Sequence, residues 1–117
     1  CAYNFAKAGI VSLTKTVACE YREKNIRMNC ILPNVCETPM VIDFLKHTDE
    51  ATRALFHKFS PVPGLIQPSH VAEGAAFLCS PSNKFLTGVA LPVDGGYLAA
   101  APSYENRPDY LKLLEAS

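Results

Sequence analysis

The chain has 117 residues, of which 49% are hydrophobic and 19% charged, and its formal net charge is zero. This length allows one domain at most, and the apolar content excludes a disordered tail. Because no basic or acidic block occurs, the charge pattern gives no support to nucleic-acid or anionic-membrane binding. No apolar run reaches the roughly 20 residues of a membrane span, so we expect neither a membrane nor a nucleic-acid partner.

The chain opens with a predicted helix over residues 2–24. Four apolar residues recur at helical spacing along it, namely Ala6, Ile10, Leu13 and Val17. A second stripe carries the small residues Gly9, Ser12 and Thr16, so we expect this helix to pack on two sides. Asn25, after a charged run, is the predicted stop.

Two short apolar segments, residues 26–32 and 89–93, are predicted strands. The first lacks clean alternation, which is typical of a strand buried on both faces of a parallel sheet. Pro92 removes one donor from the second strand, which indicates an edge position or the end of the strand. Strands joined through helices indicate a parallel α/β sheet, of which two strands are too few to be the whole.

Three helices are predicted between the strands, over residues 39–46, 49–59 and 68–80. Thr38 and Pro39 have the residue types of an N-cap and a first helical position, and Thr48 is the predicted cap of the second helix. In the third, Val71, Ala75 and Leu78 line one side. After the second strand we expect a turn at 94–96 and a short amphipathic helix at 109–115.

The five cysteines are Cys1, Cys19, Cys30, Cys36 and Cys79. An odd number without a CxxC pair is typical of free thiols in a reducing compartment, so we expect a cytoplasmic protein. The three histidines have no metal-ligand spacing with each other or with the cysteines, and we therefore expect no metal site.

Tyr3 and Lys7 lie four residues apart on the first helix, so their side chains share one face. A phenol alone exchanges protons poorly near neutral pH. An ammonium about 5 Å from a phenolate stabilises it by roughly 3 kcal/mol at an effective dielectric near 20, which favours general acid–base chemistry. Alone, however, this spacing occurs often by chance, and it favours an ordinary amphipathic helix that carries a half-buried tyrosine and a solvated lysine.

The runs YNFAKAGIVSLTKTVACEY, IRMNCILPNVCETPM and HVAEGAAFLCSPSNKFLTGVALPVDGGYL together resemble the carboxyl-terminal half of a short-chain dehydrogenase/reductase. The resemblance covers roughly residues 2–98, with the motifs in the family's order and spacing. It implies an α/β fold, the carboxyl-terminal half of a Rossmann-type doubly wound parallel sheet. It also implies an NAD- or NADP-dependent enzyme that interconverts secondary alcohols and ketones.

The resemblance also implies roles for individual residues. Tyr3 would be the catalytic proton donor or acceptor, and Lys7 would assist it and bind the nicotinamide ribose. Pro33 and Asn34 stand where the family usually has Pro-Gly beside the nicotinamide, and asparagine tolerates the left-handed backbone that glycine favours.

Two further residues match cofactor-binding positions of the family. Cys36 stands where a backbone group meets the carboxamide. Thr38 matches a threonine near the carboxamide or pyrophosphate, and a plain N-cap is an equally good reading of it.

By the resemblance, residues 1–100 would form the carboxyl-terminal half of a Rossmann-type domain, with a substrate-binding lobe at about 39–64. Residues 101–117 would be a carboxyl-terminal extension. The apolar lobe indicates a hydrophobic or ring-shaped alcohol or carbonyl substrate, although the same residues are needed to pack two helices. The first helix would serve subunit packing in a homodimer or homotetramer.

The sequence lacks the family's glycine-rich pyrophosphate turn. We therefore expect a fragment that lacks the dinucleotide-binding half and is inactive by itself. One alternative is a truncated paralogue that only docks onto full-length subunits. Another is an isomerase, dehydratase or epimerase built on the same scaffold.

Overall fold

The computed structural model of the chain describes residues 1–58 and 60–104. Five helices and two strands follow one another: α1 (Ala2–Glu20), β1 (Cys30–Pro33), α2 (Pro39–Lys46), α3 (Glu50–His57), α4 (Pro68–Cys79), β2 (Ala90–Val93) and α5 (Tyr97–Tyr104). They form two compact units, one of Cys1–Pro33 with Gln67–Val93, the other of Asn34–Ile66 with the described residues from Asp94 onward. The predicted helix at 109–115 and Phe59, the predicted end of the second lobe helix, lie outside the described residues.

The sheet of the first unit consists of β1 and β2, which pair in parallel with Ile31 opposite Leu91. The predicted parallel α/β architecture is confirmed. β1 begins four residues later than predicted, because the preceding segment makes one backbone hydrogen bond, from the Gly88 N–H to the Met28 carbonyl at 2.7 Å, and several side-chain hydrogen bonds rather than a regular ladder. Asn29 is the clearest case: its amide donates to the Leu86 carbonyl, and its oxygen accepts from the Val89 N–H, both at 3.0 Å. The strand residues are half-buried or exposed rather than buried on both faces, since the described sheet has only two strands.

Helix α4 packs on this sheet at a glycine. A Cβ built at Gly74 would stand 3.3 Å from a Val93 methyl and 3.6 and 3.8 Å from Leu91 and Ile31, so the absence of a side chain permits the close approach. One turn further along the same face, Leu78 is only 4% exposed. This agrees with the predicted inner face of the helix.

Helix α1 ends earlier than predicted, and a 3-10 turn over Arg22–Lys24 continues it to Asn25. Asn25 adopts a left-handed backbone with φ 57°, as its predicted stop role requires. The predicted apolar stripe is in the wrong phase, however, since Ile10 and Leu13 are 46% and 55% exposed. Thr14 and Ala18 are buried instead, because these small residues let the helix approach its neighbours closely.

In the second unit, α2 has the predicted bounds, and the Thr38 hydroxyl accepts from the Val41 N–H at 3.4 Å. The predicted cap of α3 is wrong by one residue. Asp49 holds that position, and its carboxylate accepts from the Thr52 N–H and hydroxyl at 2.8 Å each. These hydrogen bonds to the charged form lower the pKa of Asp49 below its ordinary 3.8. Thr48 donates its hydroxyl to the Leu45 carbonyl at the end of α2 instead.

Helix α5 was not predicted, because the Ala-rich segment that follows the glycines has little pattern. Its start is built by Asp94, whose carboxylate accepts from the Gly96 and Leu98 N–H groups at 2.9 and 3.1 Å. Gly95 and Gly96 both have positive φ, so the predicted turn is present and leads directly into a helix.

Candidate active site

The tyrosine and lysine of the predicted signature contact each other on the first two turns of α1. The Lys7 ammonium lies over the Tyr3 ring, 5.5 Å from its centroid. Tyr3 is 72% exposed, and Lys7 is exposed beside it. The predicted shared face is thus confirmed, and the pair presents one exposed phenol and one exposed ammonium side by side.

The pair lies at a groove of about 300 Å³ in the first unit. The groove is lined by Tyr3, Lys7, Ile10, Val11, Cys30, Ile31, Leu32 and Pro33. Apart from the phenol, the ammonium and the Cys30 thiol, its side chains are apolar. It includes the carboxyl end of β1, and ligands of open parallel sheets bind beyond the carboxyl ends of the strands. An apolar groove with a few convergent polar groups is the usual form of a small-molecule site.

Pro33 therefore shares a groove with the tyrosine and lysine. The remaining predicted cofactor residues, Asn34, Cys36 and Thr38, belong to the second unit.

Cys36 forms an isolated parallel bridge with Ile66. The bonds of this bridge run through its neighbours, with the Glu37 N–H donating to the Ile66 carbonyl at 2.8 Å and the Ile66 N–H donating to the Val35 carbonyl at 3.1 Å. In an extended segment successive residues direct their N–H and C=O groups to opposite sides. The N–H and C=O of Cys36 therefore point away from Ile66. The carbonyl also accepts from the Thr38 N–H at 2.8 Å.

The expectation of a left-handed backbone at Asn34 is wrong. Among the described residues other than glycine, only Asn25 has a positive φ. Asn34 uses its side chain instead, and its amide donates to the Ser60 hydroxyl oxygen at 3.0 Å.

Sequence reasoning missed several residues of these surroundings. Val11, Cys30 and Leu32 line the groove, and the rule that ligands bind at the carboxyl ends of parallel strands would have indicated Leu32. Ser60 gave no signal, because it stands in a proline-rich break and meets Asn34 only after the chain folds back.

Residues 1–58 and 60–104 carry neither a metal-ligand cluster nor a membrane-spanning helix. No group of three or more His, Cys, Asp or Glu side chains there is arranged to hold a metal ion. Over the same residues, no helix combines the length and the apolar content needed to cross a bilayer.

The sequence matches known proteins over most of its length. A family model described as enoyl-(acyl carrier protein) reductase matches residues 1–98. The 4-formylbenzenesulfonate dehydrogenase of Comamonas testosteroni is 41% identical over 95 residues, which are 80% of this chain and 38% of that protein.

Solved structures give the same result. A 3-ketoacyl-(acyl-carrier-protein) reductase from Brucella melitensis, complexed with NADH, is 41% identical and superposes with a TM-score of 0.68 over 81% of this chain and 36% of the other. A putative 2-deoxy-D-gluconate 3-dehydrogenase from Agrobacterium tumefaciens, with bound NADP, is 33% identical with a TM-score of 0.76, over 83% and 39%.

The chain thus spans less than two fifths of the length of each of these relatives. Within that span the fold agrees with those of the two solved relatives. The chain belongs to the short-chain dehydrogenase/reductase family.

Proposed function

We propose that the protein carrying this chain is an NAD- or NADP-dependent oxidoreductase that interconverts a secondary alcohol and a ketone. The observation that carries the proposal is the Tyr3–Lys7 contact beside an apolar groove at the carboxyl end of β1. The names of the relatives support it, since they are dehydrogenases or reductases and two were solved with a nicotinamide dinucleotide.

Tyr3 would move the proton. In the oxidative direction its phenolate accepts the hydroxyl proton of the alcohol while the carbinol carbon loses a hydride. In the reductive direction the phenol donates that proton to the oxygen that becomes the alcohol. The phenol is exposed beside the groove, so a substrate oxygen can reach it without displacing protein atoms.

Lys7 would favour the phenolate form of Tyr3. Its ammonium is held near the phenol ring by their spacing on α1, so this position costs little side-chain ordering. In the exposed arrangement water screens the attraction between the two groups. A substrate and cofactor that cover the groove would exclude that water and strengthen the attraction.

The residues present fit the nicotinamide riboside part of a dinucleotide. Lys7 offers ammonium donors for ribose hydroxyls, and Pro33 offers an apolar wall beside the groove. For the second unit the roles come from the resemblance alone, in which the backbone of Cys36 would meet the carboxamide and Thr38 the carboxamide or pyrophosphate. When bound, the nicotinamide ring supplies the hydride acceptor or donor. The 117 residues contain no glycine-rich turn for the pyrophosphate.

The finer parts of the proposal come from the resemblance. Residues 39–64 would form the substrate lobe within a half-domain of residues 1–100, with 101–117 as an extension. The intact protein would be a cytoplasmic homodimer or homotetramer. Light scattering of the purified full-length protein checks the assembly.

The test is substitution in the full-length protein, assayed with NADH and NADPH against a panel of ketones and in reverse with secondary alcohols. Tyr3→Phe removes the transferable proton, and we expect kcat to fall by about 100-fold or more, the usual size of a general acid–base contribution. Lys7→Met should lower kcat and also raise the KM of the cofactor, because it removes both proposed roles of the ammonium.

The chain offers a matched control. Lys24 lies 5.3 Å from the Tyr21 ring centroid, which is also a Lys–Tyr contact, but neither residue lines the groove. Tyr21→Phe should leave turnover within about twofold of the parent protein, as expected for a surface change. Equal losses in the Tyr3 and Tyr21 variants, or full activity of Tyr3→Phe, would contradict the proposal. Absence of turnover with every alcohol and ketone in the unaltered full-length protein would favour the isomerase, dehydratase or epimerase alternative.

A further inference from the structure

We infer that Asn34 is a positioning residue, which acts through Ser60 to hold the 34–38 loop in the conformation that meets the cofactor. This inference rests on the proposed function for what the loop contacts. It gives the Asn34 side chain a task different from direct cofactor binding, and it assigns a role to Ser60.

The 34–38 loop is hydrogen-bonded to the segment that follows α3. Asn34 donates to Ser60 at 3.0 Å, and the Cys36 bridge joins the loop to Ile66 through two backbone hydrogen bonds. Both partners lie in the segment that follows α3. The chain therefore leaves the loop at Thr38, runs through α2 and α3, and returns beside the loop. One side-chain hydrogen bond and one backbone bridge join the segments that precede α2 and follow α3.

The position of Ser60 is restrained because this residue is buried and also packs against the turn before α5. It is only 9% exposed, and among the described residues only Thr14 is another buried polar residue. A Cβ built at Gly95 would stand 3.1 Å from the Ser60 Cβ, so the serine lies against the backbone of the turn before α5. Two residues on, the Val62 N–H donates to the Gly95 carbonyl at 3.0 Å, which holds this segment to the same turn.

The Asn34–Ser60 bond therefore restrains the start of the 34–38 loop against a packed segment. The backbone bridge restrains only the middle of the loop, around Cys36. Without the side-chain hydrogen bond, the first residue of the loop has one fewer restraint. Part of the free energy of cofactor binding is then spent on ordering the loop. Cofactor affinity should then drop by up to the net contribution of one hydrogen bond.

The experiment uses the full-length protein with Asn34→Ala and with Ser60→Ala. Fluorescence titration with NADH and NADPH should show a dissociation constant about fivefold higher in each variant, the size expected for one neutral hydrogen bond. The double variant should be no weaker than either single one, because both remove the same contact. Hydrogen exchange, measured without cofactor or substrate, should be faster at the Glu37 amide in both variants.

Thr48→Ala is the matched control, since it also removes one hydroxyl hydrogen bond from the second unit, at the α2–α3 junction. It should change neither cofactor affinity nor exchange at Glu37. The inference is overturned if Asn34→Ala and Ser60→Ala bind both cofactors as tightly as the parent, if their effects add fully, or if Thr48→Ala matches them. Because the exchange readout does not involve turnover, inactivity of the protein toward alcohols and ketones would count against the proposed function alone.

Discussion

Arg27 connects the segment before β1 to the end of α4, and its replacement is the sharpest test of how the sheet is held. Its guanidinium donates to four carbonyl oxygens, those of Leu78 at 2.6 Å, Leu86 at 3.0 Å, Cys79 at 3.2 Å and Ser80 at 3.4 Å. The carbonyls of the last turn of a helix have no partner within the helix, and a cation there also complements the helix dipole.

Arg27→Met keeps the apolar stem and removes every donor. Hydrogen bonds from a charged group contribute about 1.5–3 kcal/mol each, and the two shortest of these bonds are partly buried. Taking those two at the low end, and none for the longer bonds that water can replace, the expected loss is about 3 kcal/mol in the free energy of unfolding. The free energy of unfolding of Arg27→Lys should lie between those of the parent protein and Arg27→Met, because one ammonium cannot reach all the acceptors that a planar guanidinium reaches.

The assay is urea unfolding of the full-length variants, followed by circular dichroism. Arg27→Met should unfold at a lower urea midpoint, with an unchanged dependence of the unfolding free energy on urea concentration. Arg22→Met is the control, since that side chain is 70% exposed, donates to the Cys19 carbonyl and pairs with Glu23 at 3.7 Å. Its loss should cost less than about 0.5 kcal/mol. If Arg27→Met costs no more than Arg22→Met, the reasoning about these carbonyls is refuted.

Two further predictions concern packing and capping. Gly74→Leu should lower the free energy of unfolding by about 2 kcal/mol or more in the same urea unfolding assay, since even a Cβ would stand 3.3 Å from Val93. Ala76→Leu, on the exposed side of α4, is the control and should leave the free energy of unfolding nearly unchanged. The lowered pKa of Asp49 means that its cap stabilises the folded state above the unfolded pKa near 4, and that this contribution is lost as the pH falls through the lower folded value. Asp49→Asn should therefore weaken the acid-induced loss of stability below about pH 4, and an unchanged pH profile would contradict the assignment.

The features that the sequence predicted correctly depend on neighbours along the chain. The bounds of α2 follow from Thr38 and Pro39, the stop of α1 from Asn25, and the Tyr3–Lys7 contact from a four-residue spacing. Such patterns involve residues within about one helical turn of each other, so they can be recognised in the sequence alone. The cap of α3 shows the limit, because the sequence predicted Thr48, whereas the backbone geometry places Asp49 at that position.

The tertiary structure decided everything that joins distant segments. The start of β1 depends on Asn29 meeting residues 57 and 60 positions away, and the hydrogen bond of the Asn34 side chain depends on Ser60, 26 positions away. Likewise, α1 buries Thr14 and Ala18 rather than its larger apolar residues. The physical reason is that spacing along the chain specifies which side chains share a face, whereas the partner of that face, and the atoms that satisfy its polar groups, exist only after the chain has folded back.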